Sequence, residues 1–311
     1  MTIERFLAQH GWEQARREVV AGDAGGRRYF RLAVADRRII LMDGSDDGPI
    51  DRFVAISIWL RGIGLHAPAV LEACPKERLA LLEDLGDATV SKQSWREDEE
   101  IEIYRLAAEA IARMQQAEAP AGLPVMSNER LTDIVQLFLD IQLPALDQAG
   151  RLAFLDLWKD LLPHATLGQP AFLHRDYHSP NLVWMPKAHG FDRLGILDFQ
   201  DAFIGPPAYD LVSLIDDPRR DVHPAAAKAA HDQYLSSRPE FRRDDLERAI
   251  AVLGAQRALR ILAVFTRLSL QGKPNYLAMR PRVIGYLRQR LTHPILSQLR
   301  SWLNAQTDLL V

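Results

Sequence analysis

The sequence predicts an α+β protein with two lobes, a small antiparallel β-rich lobe at residues 1–85 and a larger, mostly helical lobe at residues 86–311. Three observations predict it. Up to Gly86, short runs rich in β-branched and aromatic residues alternate with turn residues, with one helical segment among them. Beyond Gly86 the apolar residues recur at helical spacing. Within that helical half, two short strands, "NLVW" and "LGIL", are separated by a loop of about ten residues and read as a hairpin.

The elements follow in order. "REVVAG", "RRYFRLAV" and "RRIILMD", between Arg17 and Asp43, form a meander broken at "GDAGG" and "ADR". "DDGPIDRFVAISIWLRGIG" is a helix, with Pro49 in its first turn and Gly62 or Gly64 at its stop. "APAVLEA" and "RLALLEDLG" are two further strands turning at Pro75 and Lys76. Ser94 and Glu97 read as a capping box for a long helix in which Ile101, Tyr104, Ala108 and Ile111 share a face. Helices are expected at 128–141 and 149–163, and most of the chain from about Ala225 onward is helical.

Composition narrows the class. Of 311 residues, 48% are hydrophobic and 25% charged, which is globular usage with enough chain for two cores. Thirty-eight basic residues against 41 acidic ones give a net charge of −3, without the electrostatic footprint of a nucleic-acid binder. Cys74 is the single cysteine, so no intramolecular disulfide forms, and a reducing cytoplasm fits. Charges at Glu4, Arg5 and Glu13 interrupt any secretory leader, and no run of 18 uncharged apolar residues suggests a membrane span. A small-molecule partner and a monomer are the expectation.

The stretch "FLHRDYHSPNLVW" carries the chemistry. On an extended backbone His174, Asp176 and His178 would project to one side, as metal ligands do, but that reading leaves Pro180 and Asn181 without a role. A second reading pairs "NLVW" with "LGIL", which sets Asn181 opposite Asp198 at one end of the hairpin. Two oxygen ligands there suit a hard cation, typically Mg²⁺ carrying nucleotide phosphates. Asp176, in the loop leading into the hairpin, is then a candidate base.

"HRDYHSPN" matches the H-R-D-x-x-x-x-N catalytic loop of the kinase superfamily, and "LDFQDA" stands where such enzymes have D-F-G. With "ILDFQDAFIGPPAYDLVSL" and "ALLEDLGD", the chain resembles the aminoglycoside-phosphotransferase branch of small-molecule kinases. Within that branch it is most similar to the anomeric N-acetylmuramate/N-acetylglucosamine kinases of bacterial cell-wall recycling, from about Ala21 to Leu214.

The resemblance implies a bilobal protein-kinase-like fold and ATP- and Mg²⁺-dependent phosphorylation of a small alcohol. It implies Asp176 as catalytic residue, Asn181 and Asp198 as metal ligands, and Gly25, Gly26, Glu83 and Leu85 as nucleotide contacts. His174 and Arg175 would brace the loop, and Asp210 would support it from behind. His178 either touches substrate or caps the turn before Pro180; Asp201 reaches metal or substrate, or satisfies local amides.

One departure stands out. Kinases pair a strand-three Lys with a Glu on the next helix to aim the Lys at the phosphates. Here both are missing, and Arg27, Arg28 or Arg31 could supply the cation, with Arg28 preferred by strand alternation. From Arg248 to Thr307 there are ten basic residues and no acidic one, the reverse of a lining for cationic aminoglycosides. Arg257, Arg260 and Arg267 share an arc of roughly 80° on a helix, a face able to meet an anionic group or simply solvent. The alternatives are a kinase of another small alcohol (another sugar, an amino alcohol, an aminoglycoside-like acceptor) and a nucleotide-binding pseudokinase.

Overall fold

A computed structural model describes the protein at residues 2–20, 26–45 and 49–310. The chain divides into two compact units, Met1–Lys92 with Asn181–Gln200, and Gln93–Pro180 with Asp201–Val311. The hairpin assigned to the helical lobe by sequence therefore groups with the β-rich unit.

The first unit is built on a five-stranded antiparallel sheet, ordered β1 (Arg16–Val20), β2 (Arg28–Val34), β3 (Arg37–Asp43), β5 (Leu79–Glu83), β4 (Val70–Cys74). A helix absent from the sequence reading, α1 (Ile3–Gln9), is capped by the Thr2 hydroxyl. It covers one face of the sheet, where Phe6, Leu7 and Trp12 pack with Leu32, Ile39, Leu41, Leu79 and Leu81. The predicted helix is α2 (Asp51–Gly62), which buries Phe53, Ile56 and Leu60. The turn at Pro75 is a short 3₁₀ segment that ends at Arg78.

The hairpin pairs β7 (Leu182–Trp184) with β8 (Leu194–Ile196), with Leu182 opposite Ile196. Gly195 bridges in parallel to His66, and Thr89 pairs with Val183. A Cβ at Gly195 would lie 2.7 Å from the Leu85 side chain, so any larger residue here would have to displace that leucine.

The second unit packs α3 (Glu97–Gln116), α4 (Asn128–Gln142), α5 (Gln148–Leu161), α6 (Ala208–Ile215), α7 (Pro224–Ser237), α8 (Arg243–Leu270), α9 (Arg280–Arg290) and α10 (Ser297–Gln306). The capping box on α3 lies two residues beyond the expected one: the cap is Arg96, whose backbone N–H donates to the Glu99 carboxylate at 3.1 Å. α8 is long and apolar enough to span a membrane by length and composition, and 78% of that window is buried inside the protein. It packs against α4, α6 and α9. Two strands too short for periodicity to reveal, β6 (Ala171–Leu173) and β9 (Phe203–Gly205), pair antiparallel, and β6 leads into the segment from His174 to Pro180.

Candidate active site

The second unit holds the loop from His174 to Pro180. Asp210, fully buried on α6, accepts the backbone N–H groups of His174 at 2.7 Å and Arg175 at 2.9 Å. Arg175 is at φ 80, a left-handed conformation that a side-chain-bearing residue adopts only when its surroundings over-determine it. Burial pushes the Asp210 carboxyl up to about 7, against the lowering effect of those two amides. The buried His174 ring meets the Tyr177 ring edge-on at 5.4 Å, and the Tyr177 hydroxyl donates to Ala107 O on α3 at 3.1 Å.

A second aspartate, not singled out in the sequence, grips the other end of this loop. Asp217 Oδ2 accepts the Ser179 N–H at 2.8 Å and the Ser179 hydroxyl, and its Oδ1 accepts the Arg219 N–H at 2.8 Å. Arg219 Nη1 in turn donates to His178 Nε2 at 3.0 Å. A guanidinium only donates, so Nε2 is the acceptor and the proton of the neutral ring resides on Nδ1. Burial, helped by the charge of Arg219, pushes His178 down to about 4. The signal was the charge-dense "DDPRRD" that follows the apolar α6.

Asp176 sits between these anchors. Burial raises its pKa, but the charges of Arg175, Arg260 and Arg257 outweigh that effect and hold it below the ordinary aspartate value. Arg175 Nε is 3.8 Å from its carboxylate. Arg257 donates to Asp216 O at 3.1 Å and Arg260 to the Tyr209 hydroxyl at 3.2 Å, so both are fixed; Arg267, the third member of the predicted arc, is exposed. Asp201 is 60% exposed and lies 3.5 Å from Arg175 Nη1. Among the described residues no group of three or more His, Cys, Asp and Glu side chains is placed to hold a metal ion, which removes the metal-cage reading of His174, Asp176 and His178.

The first unit holds the end of the hairpin. Leu197 N–H donates to Asn181 O at 2.9 Å, and Asn181 Nδ2 lies 3.3 Å from Asp198 Oδ2. Gln200 Nε2 donates to the other Asp198 oxygen at 2.6 Å. Asp198 is exposed, at φ 61, while Phe199 beside it is fully buried and stacked on Phe53 of α2 at 4.8 Å. A carboxylate and an amide oxygen at one hairpin end, with the carboxylate on a strained, anchored backbone, are a donor set that fits Mg²⁺.

The expected nucleotide contacts lie in the same unit. Gly25 falls outside the described residues; Gly26 is exposed. The Glu83 amide donates to Ala69 O at 2.9 Å, and its carboxylate meets His66 Nε2 and Arg61 Nη1, each at 3.2 Å. The hydrogen bond to His66, against burial, holds Glu83 below its ordinary value. Leu85 packs its side chain over Gly195. Arg31 is committed elsewhere, to Asp84 through Nε at 2.7 Å and to Asp87 through Nη1 at 2.8 Å. Arg28 Nη2 donates to Asp43 Oδ2 at 2.6 Å.

Comparison with known proteins gives the family and the fold. Residues 16–272 match the model of the APH phosphotransferase enzyme family. The chain belongs to this family. Among curated relatives, the N-acetylmuramate/N-acetylglucosamine kinase of Caulobacter vibrioides is 33% identical, covering 96% of this chain and 93% of its own. The protein of the same name from Pseudomonas aeruginosa is 33% identical over 91% of this chain and 87% of its own. The structure of the GDP complex of aminoglycoside 2'-phosphotransferase-IIIa superposes with a TM-score of 0.64 at 16% identity, covering 92% of this chain and 95% of that one. A choline/ethanolamine kinase family protein from Mesorhizobium loti gives 0.63 at 14%, covering 95% and 94%. Identities this low carry the fold alone: α+β, protein-kinase-like, with an antiparallel sheet and a mostly helical part. The chain is a phosphotransferase of the APH family.

Proposed function

We propose that this protein is a cytoplasmic kinase that transfers the γ-phosphoryl group of ATP to the anomeric hydroxyl of an N-acetyl amino sugar, N-acetylmuramate or N-acetylglucosamine, in peptidoglycan recycling. The observation that carries the acceptor is the 33% identity, across 96% of the chain, to a kinase named for those two sugars. The electrostatics support it. Arg175, Arg257 and Arg260 all act on Asp176, and a cationic acceptor such as an aminoglycoside or choline would have to enter against them.

In the proposed reaction the sugar hydroxyl oxygen bonds to the γ-phosphorus as the bond to the ADP oxygen breaks, and the hydroxyl proton passes to the Asp176 carboxylate. An aspartate held below its ordinary pKa is a weak base. Its main contribution is orientation of the hydroxyl, with the proton leaving late in a loose transition state. Asn181 and Asp198 would hold Mg²⁺, which when bound neutralises charge on the β- and γ-phosphates. Arg28 would face the phosphates. At the end of β5, Glu83 has its amide in the sheet, so an adenine contact there falls to its carbonyl and to the backbone of Leu85.

The test is transfer from labelled ATP with Mg²⁺ to N-acetylmuramate, N-acetylglucosamine, glucose, choline, homoserine and kanamycin, followed by mild acid. An acid-labile phosphate on an N-acetyl sugar is the expected product. An acid-stable product or another preferred acceptor overturns the substrate, and nucleotide binding without transfer overturns the kinase.

A further inference from the structure

A kinase that lacks the strand-three Lys and the helix Glu still has to place a positive charge at the nucleotide phosphates. β3 here ends in "LMD", and α2 carries no Glu. The structure instead sets an opposite-charge pair across two adjacent strands of the sheet. Arg28 and Asp43 are direct partners in the antiparallel register of β2 and β3. Their ion pair is 2.6 Å long, with the Asp43 side chain 1% exposed and that of Arg28 55% exposed.

The carboxylate is fixed on both oxygens. Oδ1 accepts the Ser45 N–H at 3.0 Å while Oδ2 holds Arg28. Ser45 is itself tied down: its carbonyl accepts Arg78 Nη1 at 2.9 Å, and its hydroxyl lies 3.4 Å from Arg28 Nη2. A buried aspartate with no partner would be strongly destabilising, so its presence on an interior strand position demands a cation there. The guanidinium is a planar fork of five N–H groups suited to phosphate oxygens, and it is presented from the first residue of β2. Arg31, on the same strand, already bridges Asp84 and Asp87 through both faces of its fork.

We propose that Asp43 is a positioning residue that aims Arg28 at the nucleotide phosphates, so that a strand-to-strand Arg28–Asp43 pair takes the place of the strand-to-helix Lys–Glu pair. The inference rests on the ATP-kinase reading above. It has a mechanical consequence. In a Lys–Glu kinase the phosphate cation is in place only when the helix is. Here both partners belong to one hydrogen-bonded sheet, and the position of the cation does not depend on α2.

The experiment is calorimetric titration of ADP and of adenosine into the intact wild-type protein and into Arg28→Gln, Arg28→Lys, Asp43→Asn and the Arg28→Gln/Asp43→Asn double variant. Removing the guanidinium, or the carboxylate that aims it, should weaken ADP binding on the order of tenfold and leave adenosine within twofold. The double variant should be no worse than either single one, because the two residues act as a unit, and Arg28→Lys should recover part of the affinity. A merely structural Asp43 would lower Tm without changing the ADP-to-adenosine affinity ratio. An unchanged ratio in the Arg28→Gln/Asp43→Asn double variant, which leaves no unpaired buried carboxylate, overturns the proposal even if either single variant fails to fold. A wild-type protein that binds neither ADP nor ATP instead overturns the kinase reading itself.

Discussion

Asp210 receives the backbone amide of Arg175 at 2.9 Å, and Arg175 stands at φ 80, so one buried carboxylate fixes the backbone of the residue that precedes Asp176. An asparagine there would turn its NH₂ group against one of two N–H donors, leaving a buried donor unsatisfied at about 1–3 kcal/mol. Asp210→Asn is expected to lower Tm by several degrees, about 2–4 °C per kcal/mol, and kcat by more than tenfold. ADP affinity should remain within twofold. Parallel losses in kcat and in ADP affinity would contradict the assignment.

The catalytic assignments predict large losses. Asp176→Ala should reduce turnover by ~10²–10⁴-fold, and Asp198→Ala should do at least as much. Asn181→Ala should raise the Mg²⁺ concentration needed for half-maximal rate, read from initial rates across a Mg²⁺ series. Turnover within about threefold of wild type for either aspartate variant contradicts the mechanism.

His178 predicts an acid-side stability effect. Its folded pKa of about 4 lies below the ordinary 6.5, so the unfolded chain takes up a proton that the folded protein refuses. The stability of the neutral form is fully present above pH 6.5 and is lost progressively as pH falls toward 4. Between pH 7 and pH 5, the Tm gap between wild type and His178→Gln should shift in the variant's favour by about 3 °C or more. A constant gap in scanning calorimetry contradicts the buried neutral ring.

His66 predicts the opposite trend. Its Nδ1 meets Asp192 O at 3.0 Å and its Nε2 meets Glu83 at 3.2 Å, both acceptors, with Arg61 on the far Glu83 oxygen. The hydrogen bond to Glu83, against burial, raises its pKa above 6.5. That stabilisation is present below pH 6.5 and is lost as pH rises through the raised value. The Tm advantage of wild type over His66→Gln should be larger at pH 6 than at pH 9, and a pH-independent difference sinks the idea.

The β-sheet was legible because its strands are runs of five or more residues set between turn signals, and the hairpin because two short apolar runs lie between Asn181 and Asp198. α1 was not, since its apolar face consists of little beyond Phe6 and Leu7 before Trp12. β6 and β9 are three residues each, below the length at which period two can be recognised. Within the site, Asp176 and Asp210 could be picked out by motif. Asp217 and Arg219 could not, because their importance lies in contacts with Ser179 and His178 about forty residues away in sequence. Strand alternation singled out Arg28 but not its partner, since Asp43 faces it only through the register that the β2–β3 turn imposes.

The central claim, phosphorylation at the anomeric hydroxyl, is tested most directly by the initial rate of ADP release with N-acetylmuramate and with its 1-deoxy analogue, which keeps every other hydroxyl. The account predicts sugar-dependent ADP release with N-acetylmuramate and only background with the analogue. Comparable rates with the two would place the transferred phosphate on another hydroxyl and contradict it.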